Sequence, residues 1–172
     1  MNVTKKMTTI TMLLAISILF SLVESMIPIP LPIPGFKLGL ANIVGLITLY
    51  MFGGKVMIEI NFMRVIFVSL LRGTLLGTGF WVSLCGLMVS TIITILAYKK
   101  SPMTIYGVSV AGSVTHSIGQ VIVITLIYNQ FFMQAILPAL IILAIPTGLG
   151  MALISKAVLI RMKVVYQNHS TI

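Results

Sequence analysis

The chain has 172 residues, is 59% hydrophobic and carries a net charge of +9, yet only 8% of its residues are charged, where a soluble domain has about a quarter. With a mean hydropathy of +1.18, this composition excludes a soluble globular protein and predicts an all-α, polytopic membrane protein. The acidic residues are Glu24 and Glu59, with no aspartate anywhere, which disfavours a carboxylate-held Mg²⁺ site. No Gly-x-x-x-x-Gly-Lys-Ser/Thr stretch is present, so ATP is not bound by a P-loop. Any energised work is supplied by another subunit or an ion gradient. The positive charge fits cationic loops of a membrane protein rather than a nucleic-acid surface, and the single cysteine, Cys85, rules out an internal disulfide.

A membrane-spanning helix needs about 20 apolar residues, and six segments are predicted, at about 7–27, 38–52, 56–72, 80–98, 103–128 and 133–160, forming one integral membrane domain over 1–172. The first follows Lys5 and Lys6 and lacks a small-residue cleavage pattern, so it reads as a span and not as a cleaved signal. After it, Pro28-Ile-Pro-Leu-Pro-Ile-Pro34 alternates proline, which forbids a continuous helix and favours extended backbone. Gly53-Gly-Lys55 marks a turn, Gly73 to Gly79 a glycine-rich break, and Pro138 and Pro146 irregularities in the last helix. The basic residues orient the bundle. Lys5, Lys6, Lys55, Lys99, Lys100, Lys156, Arg161 and Lys163 fall on one side, and only Lys37 and Arg72 on the other, which predicts both termini in the cytoplasm. Trp81 and Tyr128 then fall at the outer interface and Tyr98 at the inner one, as an aromatic belt requires.

Within the spans, the unusual residues gather by depth. Glu24, Lys37, Asn42, Arg72, His116 and Gln120 all belong to the outer half of the membrane. Arg64 lies about 14 Å along its helix from Lys55, near the midplane, where a charge costs several kcal/mol unless paired or hydrated. Glu59 is on the same helix but points away from Arg64 by about 140°. On the fifth helix Ser109, Gly112, Ser113, His116, Gly119 and Gln120 share one side, while Val110, Val114, Ile118 and Val121 fall mostly on the other. Two readings stay open for this small polar face: close helix packing, or the wall of a site. For His116 and Gln120 a site is favoured. Ser83, Gly86, Ser90 and Thr94 on the fourth helix read as packing. His116 has no second metal-ligating residue beside it, so neither a metal nor a cofactor is expected. The cluster of Glu24, Lys37, Asn42, Arg64, Arg72, His116 and Gln120 is net basic and partly desolvated, and suits a small anionic ligand.

Three stretches, Lys37-Leu-Gly-Leu-Ala-Asn-Ile-Val44, Arg64-Val65 and Gly107-Val-Ser-Val-Ala-Gly-Ser-Val-Thr-His-Ser-Ile-Gly-Gln120, together resemble the Gx transporter family, also labelled heptaprenyl diphosphate synthase component I. That family is similar in turn to the substrate-binding S-components of energy-coupling factor (ECF) transporters. The resemblance implies an S-component-like bundle in a bacterial cell membrane. Its outward-facing pocket would hold a flavin or an isoprenoid phosphate, and its partners would be a transmembrane coupling subunit and two ATPase subunits. Thr8, Thr11 and Ala15 match the small-residue docking spacing on the first helix. Prenyl-chain synthases hold Mg²⁺–diphosphate through aspartate-rich motifs, so a chain without aspartate is not itself such an enzyme. The alternative implied is a non-catalytic membrane partner of a prenyl diphosphate synthase.

Overall fold

The computed structural model describes residues 3–26, 39–100, 103–129 and 131–168. Among them all regular structure is helical: α1 (Val3–Met26), α2 (Leu40–Phe52), α3 (Gly54–Leu71), α4 (Thr78–Lys100), α5 (Ile105–Tyr128), a 3₁₀ turn at Phe131–Ile136, and α6 (Leu137–Asn168). Helix ends agree with the sequence reading to within a few residues except at α6, which runs well past the expected stop near residue 160. Pro138 falls in its first turn, where a missing N–H removes no intrahelical bond. Pro146 is accommodated inside the helix. The proline-rich segment and Lys37 lie outside the described residues.

Four helical stretches, Val3–Met26, Thr78–Lys100, Ile105–Tyr128 and Gln134–Met162, are long and apolar enough to cross a membrane. The remaining two are different in kind. Helix α2 has 13 residues, a length of about 20 Å, against a hydrocarbon core of about 30 Å. Helix α3 carries Lys55, Glu59 and Arg64 within 18 residues. The turn between them is a single residue, Gly53, at φ +88°, a backbone region that favours glycine. Its N–H closes α2 on Leu49 O at 3.0 Å.

Large apolar side chains cover the outside, including Met12, Leu19, Met88, Ile92, Ile122, Leu126, Ile142 and Leu153. In lipid their burial would bring no hydrophobic gain, so the helices associate by close packing and interhelical hydrogen bonds. Both devices are plain where α4, α5 and α6 meet, the most extensive helix contacts in the bundle. A Cβ on Gly119 would lie 3.0 Å from Gly86 Cα, and one on Gly148 would lie 3.0 Å from Val110 Cα. Ser90 Oγ donates to Gly112 O and Ser109 Oγ to Gly148 O, each at 2.7 Å. Apolar packing is concentrated toward the end of the bundle that holds Lys55, Lys99 and Lys100. There one cluster joins Leu13, Ile43, Val44, Ile47, Ile60 and Met151, and a second joins Leu46, Leu49, Met57 and Val108. Ser155 on α6, fully buried, donates to Ile43 O on α2 at 3.3 Å, a link spanning 112 positions of sequence.

Candidate functional site

Opposite the lysine end, where α1, α3 and α5 finish and α2, α4 and α6 begin, the helices enclose a cavity of about 710 Å³. That volume lies in the range of small-molecule sites. Each wall has a local reason. Helix α1 contributes Ser21, Glu24 and Ser25, one i, i+3, i+4 face. Helix α2 contributes its first turn, Ala41 and Asn42, with Gly39 before it. Arg64, Val65, Val68 and Ser69 come from one side of α3, and Arg72 from its last turn. The glycine-rich segment between α3 and α4 forms part of the rim, with Phe80 and Ser83 beyond it. Helix α5 presents Ser113, His116, Ser117 and Gln120, and α6 presents Leu140, Ala144 and Thr147.

Six of the residues singled out from the sequence thus face one space: Glu24, Asn42, Arg64, Arg72, His116 and Gln120. Lys37, the seventh, lies outside the described residues. The two readings of the α5 stripe divide along its length. Ser109 and Gly112 are packing residues against α6 and α4, while His116 and Gln120, further along, line the cavity. Gly119 faces α4, not the cavity. On α4, Ser83 departs from the packing role expected of its stripe and lines the cavity.

Arg64 is the most confined cation among the described residues. Its side chain is 6% exposed, and its Nη2 donates to Asn42 Oδ1 at 3.3 Å. Its Nη1 is buried with no hydrogen-bond partner. Glu59, one possible structural partner, is exposed on α3, as the angular separation on the helix requires. Glu24 on α1 supplies opposite charge that acts on Arg64. Its carboxylate, 5% exposed, also accepts a hydrogen bond from Gly39 N–H through Oε1. Arg72 caps the end of α3 and is exposed at the cavity rim.

Sequence reasoning passed over two features. Asn61 lies one turn before Arg64 on the inward face of α3 and is 3% exposed. Its Nδ2 donates to Thr91 Oγ1 at 3.0 Å. An asparagine amid apolar residues, three positions from a buried arginine, was the available signal. The other is Gly39, which lines the cavity just ahead of α2 with φ +83°; a backbone conformation has no periodic signature.

Arg64, Arg72, His116 and Gln120 together offer positive charge and hydrogen-bonding groups in a space whose remaining lining mixes hydroxyl side chains with apolar ones such as Val65, Val68, Phe80, Leu87 and Leu140. Such a lining can hold an anionic head with an apolar body. Among the described residues no group of three His, Cys, Asp or Glu side chains could hold a metal ion. Residues 13–158 match the family described as heptaprenyl diphosphate synthase component I, and the chain belongs to that family. No curated protein matches it, and no solved structure does.

Proposed function

With that membership as the starting point, we propose that this chain is a non-catalytic membrane component that holds an isoprenoid diphosphate, or a close chemical relative, in its cavity and partners a soluble prenyl diphosphate synthase. Family membership supports the partnership, and favours it over the transporter-subunit role implied by the S-component resemblance. The chain has no aspartate, so the Mg²⁺-binding chemistry falls to the partner. The observation that carries the ligand half of the reading is Arg64: a guanidinium 6% exposed, lining a cavity of about 710 Å³, with Nη1 unpaired. A buried charge left partly unsatisfied costs several kcal/mol, and an oxyanion entering the cavity would relieve that cost.

The test is to purify the chain from its native membrane under mild conditions and identify what comes with it. A soluble, aspartate-rich synthase subunit in the eluate and a polyprenyl diphosphate in the mass spectrum are the expected results. A complex with a membrane coupling protein and two ATPases, together with a flavin absorbance band, would support a second reading as a substrate-binding subunit of an ECF transporter. One observation favours that second reading: Thr8, Thr11 and Ala15 lie on the exposed side of α1, where a small-residue docking line would have to be.

A further inference from the structure

Helix α2 begins at the cavity. Its 13 residues cover about 20 Å, and its first turn opens onto the cavity through Ala41 and Asn42, preceded by Gly39. Gly39 is the N-cap, at φ +83°, and has no side chain with which to cap the helix. A helix start leaves backbone N–H groups without intrahelical acceptors and carries the positive end of the helix dipole. Phosphate-type anions bind at such ends, and helices that start within a membrane protein present them at mid-depth. The Arg64 guanidinium is tied to this same turn through Asn42 Oδ1, and its buried Nη1 lacks a partner. The positive end of the helix and an unsatisfied cation therefore converge on one spot, where the Asn42 N–H donates to Gly39 O at 2.8 Å and the Gly39 N–H to Glu24.

A carboxylate already stands there. Glu24, near the end of α1 and lining the cavity, accepts from the N–H of Gly39. Its charge acts on Arg64. A carboxylate at a helix N-terminus is what the dipole favours, and Glu24, bonded to Gly39 N–H, has the position that one oxygen of a bound anion would take.

We infer that the first turn of α2 and Arg64 form the seat for a phosphate-type oxyanion, and that Glu24 is the seat's resident occupant, exchanged for the ligand when it binds. This rests on the ligand reading above. The exchange links occupancy to shape. Glu24 ties the end of α1 to the start of α2, and its departure releases α1, the helix whose far side is exposed.

Inorganic diphosphate is the probe, titrated against the full chain in phosphatidylcholine nanodiscs. Wild type is expected to bind it, and Arg64→Gln to lose binding. Glu24→Gln keeps an oxygen to accept from Gly39 N–H but removes the competing charge, so it should bind about tenfold more tightly, equivalent to about 1.4 kcal/mol. Glu24→Asp, which retracts the carboxylate by one methylene, is expected between the two. Adding phosphatidylglycerol separates two sources of the same chemistry. Weaker diphosphate binding would make a lipid headgroup a competing occupant of the seat; unchanged binding would reserve it for free phosphate compounds. If Arg64→Gln loses binding while both Glu24 variants bind at wild-type strength or weaker, the exchange is overturned and the ligand reading stands. If Arg64→Gln binds as wild type does, the ligand reading itself fails.

Discussion

Two regions of this bundle are built from the same small and polar residue types and differ in what those residues face. In the seam where α4, α5 and α6 meet, hydroxyls are spent on backbone carbonyls: Ser90 on Gly112, Ser109 on Gly148, Thr94 on Ser90. Glycines there have a neighbouring helix where a side chain would be. At the cavity, a few residues further along the same helices, Ser113 and Ser117 still donate to the carbonyls of Ser109 and Ser113, but with His116 and Gln120 they line open space, and Arg64 keeps an unsatisfied nitrogen. A membrane bundle cannot draw on the hydrophobic effect between its helices, so satisfied polar contacts and close approach supply its cohesion. Departures from that economy then mark where something other than cohesion is served.

Exchanging the properties of the two regions tests the distinction. The largest effect is expected from Arg64→Met, which should weaken ligand or diphosphate binding by about a hundredfold or more, roughly 3 kcal/mol. The thermal midpoint should change little when Glu24→Gln accompanies it, because replacing both members of a buried charge pair is often tolerated, whereas removing Arg64 alone strands the buried Glu24 carboxylate. Collapse of the fold instead would make Arg64 a structural residue and erase the contrast. Gly112→Ala should do the reverse. Its new Cβ would collide with Thr94 Oγ1, costing about 2 kcal/mol of stability by overpacking, read as a lower unfolding midpoint in detergent, with affinity in the surviving folded fraction unchanged. The smallest effect is expected at the boundary. His116→Ala should weaken binding by about fivefold to tenfold, or about 1 kcal/mol for one lost hydrogen bond, without lowering the midpoint. A loss confined to stability would move His116 into the seam.

Much of this contrast is written in the residues themselves. Arginine, glutamate, asparagine and histidine are costly in apolar helices, so Glu24, Asn42, Arg64, His116 and Gln120 could be picked out one by one, and helical rise put most of them at similar depth. Other parts depend on what no single helix encodes. Whether a serine or glycine on α5 packs or lines a cavity is decided by the rotation and approach of α4 and α6, so Gly112 and Ser113, neighbours in sequence, fall on different sides of the division. The continuation of α6 beyond residue 160 was hidden because a polar stretch past the apolar run carries no periodic mark. The seat at the start of α2 escaped for a third reason: backbone N–H groups have no letter in the sequence.

The bond from Ser155 to Ile43 has a bearing on biogenesis. It joins the last helix to the second across 112 positions, and α6 also supplies Leu140, Ala144 and Thr147 to the cavity wall. During synthesis the five earlier helices must wait, their inward glycines and hydroxyls only partly matched, until the sixth emerges and locks them together. Distant closures of this sort are slow to form. A ribosome that stops before α6 would release a bundle with one side of its chamber missing and without the bond to Ile43, so that termination late in the message would also be damaging.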